Sequence, residues 1–277
     1  ITAAGATSSS VQGGSGNDSI SFGTGGLIAS SVGAGSGADT VSVAGNVSLS
    51  TVLAGSGNDY VELAAATASS LQGSAGNDAV LITGNGVNVS IGGGEGDDYA
   101  SIGGTLSGGQ VLGGSGADTI AVAVLSGGGS VYGGTTGNID DAANLISVGT
   151  ISSGLIDGNA AADTIRVGGG ATAATLAGSY GADSISIAGT VSAAIISGGN
   201  AADASSNLDA ADTITIAGAV LNSQISGNVG NDSVVIVGSA AGSTIGGGQD
   251  SDYVSIGSLV SAGQILGGAD SDTILIG

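Results

Sequence analysis

Aliphatic residues recur along this chain at an interval of about twenty residues, always in the same places relative to an aspartate. They stand two, four, eight and thirteen residues after it, as in Ile185, Ile187, Val191 and Ile196 after Asp183, or Val254, Ile256, Val260 and Ile265 after Asp252. The first two alternate with outward Ser, Thr or Ala, which is the period of a strand with one buried face. No apolar stripe of helical spacing runs anywhere, and Gly, Ser and Thr dominate the positions between. Each repeat therefore reads as strand, short turn, strand, Gly-rich turn. Outward strand positions take the residues that would be expensive inside, such as Glu62 and Arg166.

The anchoring aspartates are Asp18, Asp39, Asp59, Asp78, Asp98, Asp118, Asp163, Asp183, Asp212, Asp232, Asp252 and Asp272. Two gaps between them are longer. In the first, Asn144-Leu145-Ile146 takes the place of Asp-Thr-Ile after an insertion near 135–141; the second holds extra residues near 200–208. Both insertions fall at the Gly-rich turn, where a solenoid tolerates them. The expected fold is all-β: a parallel β-solenoid, β-roll-like, of about 13 coils of roughly 20 residues with two strands per coil, continuous over residues 1–277. Ile1 and Ile276 fall in mid-repeat without a polar cap, so the pattern predicts either more chain beyond or copies stacked end to end.

Composition restricts the chemistry. The chain has 277 residues, 58 of them Gly, with no His, Cys or Pro, a single basic residue, 22 acidic residues and a net charge of −21. Such a chain cannot neutralise phosphates, which argues against nucleic acid and anionic lipid as partners and makes cations the natural ones. No apolar run is long enough to span a membrane. Absence of Cys suits a protein that leaves the cell. Catalysis is not expected: there is no His, Cys or Lys to activate, and the acidic residues are spread one per repeat instead of gathered into a pocket.

The Gly-rich turns carry the candidate chemistry. The clearest are Gly13 to Ser21 (GGSGNDSIS), Gly93 to Ser101 (GGEGDDYAS) and Gly113 to Ala121 (GGSGADTIA). Glycines such as Gly14, Gly16, Gly94, Gly96, Gly114 and Gly116 permit positive φ and bring carbonyls together. The closing aspartate adds a carboxylate, giving an all-oxygen donor set that suits Ca²⁺ better than Mg²⁺ or Zn²⁺. Stacked coils place successive aspartates about 4.8 Å apart, where each ionised pair repels by about 3 kcal/mol at an effective dielectric near 20. A shared cation removes that penalty, so folding is expected to depend on calcium. A plainer role is open to the same residues: Gly and Asp making tight turns, with Asp capping backbone amides. Asp163, Asp212 and Asn144 are the less certain sites, since their turns depart from the Gly pattern, and Asp97, Asp250 and Asp270 either replace a carbonyl ligand or solvate the edge. Tyr60, Tyr99 and Tyr253, one residue after their aspartates, read as cover for a strand surface.

These turns resemble the nonapeptide GGxGxDxUx of the RTX, or haemolysin-type, calcium-binding repeat proteins. The resemblance implies a secreted bacterial protein exported by a type I system, of the kind found in surface-layer proteins and large adhesins. It departs from that pattern in having only one Asp-bearing turn per coil; the other reads Ala-Gly-Asn-Val-Ser at 44–48. The expected function is a calcium-stabilised structural protein of the cell surface, self-associating into a lattice or an end-to-end filament. The alternatives are an extender or ligand-binding segment of a giant adhesin, or an ice-binding solenoid. For the last, the turn positions that would order water hold Ser15, Ser36, Ser56 and Ser115 with Asn17, Ala38, Asn58 and Ala117, so Thr is missing and the Asx file is broken by Ala.

Overall fold

The computed structural model describes residues 1–135, 141–199 and 209–277. The inserted segments expected near 135–141 and 200–208 lie, apart from Thr135 and Asp141, outside the described residues. Among those residues the chain is an all-β solenoid of about 13 turns with no helix, and the registered strand pairings are parallel. It forms two compact units, Ile1–Thr135 and Thr136–Gly277.

In the first unit most coils contribute a long and a short strand, such as Thr40–Ser48 and Thr51–Ser56, or Tyr60–Thr67 and Ser70–Ala75. Register is set by the inward aliphatics: Val41 pairs with Val61 and Val61 with Val80, while Val43, Leu63 and Ile82 form the neighbouring row. All six are at most 2 % exposed. Slipping by one residue would turn a whole row outward, so the alternation that identifies the strands also fixes their pairing. Each such side chain contributes about 1.5 to 3 kcal/mol on burial.

The second unit differs from the two strands per coil that the pattern predicts. Its first coil keeps two, Leu145–Ile151 and Gly154–Asn159, but from Thr164 on the long strand is broken at its corner, giving three strands per coil, for example Thr164–Val167, Ala171–Thr172 and Ala174–Ser179. The corner lies at Gly168-Gly169-Gly170. In the first unit the same corner is a register shift between Val43 and Asn46 within a continuous strand.

The turn opposite the Gly-rich one is closed by a serine ladder. The amide of Ser30 donates to Ser50 Oγ at 3.1 Å and that of Ser50 to Ser69 Oγ at 3.2 Å, while each hydroxyl donates to the carbonyl two residues back. The second unit repeats the device at Ser223 and Ser243. These serines are buried with their hydrogen bonds made, which is how a tight buried turn avoids orphaned amides. On the outer strand face Glu62 is half-buried and Arg166 exposed; Tyr60, itself partly exposed, donates its hydroxyl to Glu62 at 3.2 Å.

Candidate metal centre

The Gly-rich turn delivers its aspartate to the start of the next strand with the side chain folded inward. In the first unit Asp39, Asp59, Asp78, Asp98 and Asp118 are at most 4 % exposed, with Asp18 half-buried. One carboxylate oxygen is committed. The amide of Asp18 donates to Asp39 Oδ1 at 2.7 Å, Asp39 to Asp59 at 2.7 Å, Asp59 to Asp78 at 2.8 Å, Asp78 to Asp98 at 2.7 Å and Asp98 to Asp118 at 2.8 Å. Capping of backbone amides by aspartate, the plainer role open from sequence, is thus seen, but it occupies only half of each carboxylate.

The other half is orphaned. Oδ2 of Asp18, Asp39, Asp59, Asp78 and Asp98 is buried and accepts no hydrogen bond, as is Oδ2 of Asp163, Asp183, Asp212, Asp232 and Asp252 in the second unit. A buried carboxylate oxygen without a donor is costly, and here the cost recurs coil after coil. Burial first, and the neighbouring carboxylates after it, overcome the lowering effect of the amide bond and push the carboxyls up from the usual 3.8, to about 7 at Asp78 and about 6 at Asp98. In the second unit Asp163, Asp183 and Asp232 rise to about 8, 7 and 8. Two partners relieve such an atom: a proton or a cation.

In most coils the space around Oδ2 is kept free by the glycine five residues before the aspartate. A Cβ on Gly93 would stand 2.3 Å from Asp98 Oδ2 and 2.3 Å from the carbonyl oxygen of Gly113; one on Gly178 would stand 2.3 Å from Asp183 Oδ2. Buried alanines, Ala34 and Ala54, take this place in two coils. The turn glycines expected from sequence adopt positive φ: Gly14, Gly16, Gly94, Gly96, Gly114 and Gly116 lie between 96° and 126°. Their carbonyls face the turn of the following coil, where a Cβ on Gly114 would meet the Gly94 oxygen at 2.1 Å. The donors are therefore a carboxylate oxygen without a partner and main-chain carbonyls, all oxygen, with no nitrogen or sulfur ligand: the set that fits Ca²⁺. Among the described residues no three acidic side chains gather as a ready-made cage, so a bound cation would draw most of its shell from carbonyls.

The turns marked as doubtful from sequence keep the same backbone ladder. Asn144 donates to Asp163 Oδ1, Asp163 to Asp183, Asp183 to Asp212 and Asp212 to Asp232, each at 2.7 Å, and Asp232 and Asp252 continue it to Asp272. Before Asp163 the left-handed positions are held by Asn159 and Ala161, at φ of 77° and 73°, so the missing glycine did not change the turn. Asp250 and Asp270 occupy the equivalent left-handed position in their coils, at 73° and 68°. Asp97 instead belongs to an exposed outer row, in which Asn17 Oδ1 accepts the amide of Ala38, Asn58 that of Asn77, Asn77 that of Asp97, and Asp97 that of Ala117. Three acidic residues near the second unit's turns were not singled out from sequence: Asp141, Asp157 and Asp209. Asp157 Oδ1 accepts from Ser179 Oγ at 2.7 Å and from the Asn159 amide at 3.0 Å.

No protein-family model matches this chain, and no curated protein does. Among solved structures it is similar to the crystal structure of a hyperactive, Ca²⁺-dependent, β-helical antifreeze protein from an Antarctic bacterium, with a TM-score of 0.74 and 22 % identity over 97 % of this chain and 83 % of that one. At that identity the likeness establishes the parallel β-solenoid fold.

Proposed function

We propose that this chain is a calcium-clamped structural solenoid of the bacterial cell surface, whose coils are held together along the aspartate edge by Ca²⁺. The observation that carries the reading is the run of buried, partnerless Oδ2 atoms, most of them beside a glycine that leaves room for an ion. Bound Ca²⁺ supplies the positive charge that lets neighbouring carboxylates remain ionised side by side. The chain's own residues do the rest: Oδ1 joins coil to coil, glycine keeps the cradle open, and the carbonyls of the left-handed turn complete an oxygen shell. The RTX-like turns, the similarity to a Ca²⁺-dependent solenoid and a net charge of −21 support the ion and an extracellular setting. Among the described residues no helix is long and apolar enough to cross a membrane. The chain works as a non-catalytic building element, self-associating in a lattice or filament. Electron microscopy of purified protein with calcium tests this: ordered sheets or fibres are expected, and dispersed monomers at high concentration contradict the assembly.

A second reading is ice binding, favoured by the similarity to an antifreeze protein and by one feature of the first unit. Ser15, Ser36 and Ser56 stand in register on the exposed side of the turn, beside Asn17, Asn58 and Asn77, whose side-chain oxygens are bound to the following coil's amides or hold the same row. Such a row presents hydroxyls and amides at the coil repeat. Thermal hysteresis in calcium decides it: a large value makes ice the ligand, and none leaves the structural reading alone.

A further inference from the structure

The two long turns end alike. One re-enters the solenoid through Asp141-Ala142-Ala143-Asn144 and the other through Asp209-Ala210-Ala211-Asp212, so each places a carboxylate three residues before the column position. Regular turns of the second unit hold Ala160, Tyr180, Val229, Gln249 and Ala269 at that place, none of them acidic. Both carboxylates are fixed by the same local bond, the next residue's amide donating to Oδ1: Ala142 to Asp141 at 2.9 Å and Ala210 to Asp209 at 3.0 Å.

Their surroundings are the cradles already described. Asp212 Oδ2 lies 2.4 Å from where a Cβ of Gly198 would stand, and Asp209 Oδ2 only 1.6 Å from where a Cβ of Gly199 would stand, so adjacent glycines are roofed by the two carboxylates. Asp212 and Asp183, 2 % and 3 % exposed, each keep a buried Oδ2 without a partner beside this point. The charge of Asp209 reaches Asp183, Asp212 and Asp232, adding to the effect of their burial. In the other long turn the column residue is an amide, and Asp141 Oδ2 lies 3.5 Å from Asn144 Nδ2. Asp163, 1 % exposed and with a partnerless Oδ2, feels the Asp141 charge in the same way.

We propose that Asp209 and Asp141 are dedicated Ca²⁺ ligands, each supplying from the end of a long turn the donor oxygens that an uninterrupted Gly-x-Gly turn supplies from its backbone. Asp209 serves with Asp212, and Asp141 with Asp163, restoring beside Asn144 the carboxylate that the column lacks. The interrupted coils thus keep cation sites, in which a side-chain carboxylate stands in for backbone donors of a regular turn. This inference rests on the calcium reading above.

Calcium bound per chain, counted by equilibrium dialysis and titrated calorimetrically on the full chain, tests it. The variants are Asp209→Asn and Asp141→Asn, with Glu62→Gln on the outer strand face as control. Each turn variant should lose one ion or bind it about tenfold more weakly, and the control should match the wild type. Turn variants that bind the wild-type number at wild-type affinity overturn the proposal while leaving the calcium reading intact; a wild type that binds no calcium overturns both. Should Asp209→Asn fail to fold, Asp209→Glu discriminates: recovery of the wild-type count supports a ligand, and its failure to recover shows a residue that serves only the turn.

Discussion

Column aspartates such as Asp59, Asp78, Asp98 and Asp232 have one oxygen bonded to a neighbouring coil's amide and the other buried without a hydrogen bond, and the two can be separated chemically. Asp78→Asn keeps an oxygen for the Asp59 amide, now 2.8 Å away, and removes the charge. In calcium the variant should be less stable by about 1 to 3 kcal/mol, since a charged ligand is lost. In chelator it should be as stable as the wild type or more so, because a buried charge has gone. Urea unfolding under both conditions reads the difference, and a loss of equal size in both would show that the carboxylate serves only the hydrogen-bond ladder. Proton and ion compete for the same atom. Asp163, Asp212 and Asp232 are pushed up to about 8, 9 and 8, foremost by burial, so the folded chain binds the proton more tightly than the unfolded one. Stability from this source is full below pH about 4 and is lost as pH rises through 7 to 9. Melting temperatures of metal-stripped protein should therefore fall from pH 5 to pH 9, and saturating calcium should flatten or reverse the trend.

At the scale of the coil, the serine ladder does for one turn what the aspartate ladder does for the other. Ser50→Ala removes the acceptor of the buried Ser30 amide and should cost about 1 to 3 kcal/mol in urea unfolding, whether or not calcium is present. The aliphatic columns and the aspartate column were legible in the sequence because burial demands one residue type at one spacing. The serine column was not, since Val89 and Ala194 stand among its members and mixed small residues carry no periodic signal. Ala161 shows the turn shape to be less legible than its residue type. Its lack of a glycine marked Asp163 as doubtful, yet neighbouring coils hold it in the left-handed turn, so tertiary stacking overrode local preference. The broken corner at Gly168-Gly169-Gly170 was hidden likewise, because the inward aliphatics on either side keep the same spacing as in the first unit.

At the scale of the whole molecule, a thin core, 58 glycines and a charge of −21 leave little to hold the coils together without a counter-ion. Sequence showed where the carboxylates lie along the chain but not that half of each is already used, nor that Asp141 and Asp209 return to the file after the long turns. Those facts depend on which atoms the stacking brings together. Screening by sodium chloride weakens repulsion among exposed charges but reaches a buried Oδ2 poorly, so monovalent salt should not substitute for calcium. The direct measurement is the circular dichroism spectrum and thermal melt of metal-stripped protein at neutral pH, repeated after adding back millimolar calcium. Loss of the β signal without the ion is expected, with its recovery and a cooperative melt at much higher temperature on re-addition. An unchanged β spectrum and melting temperature in chelator would contradict it.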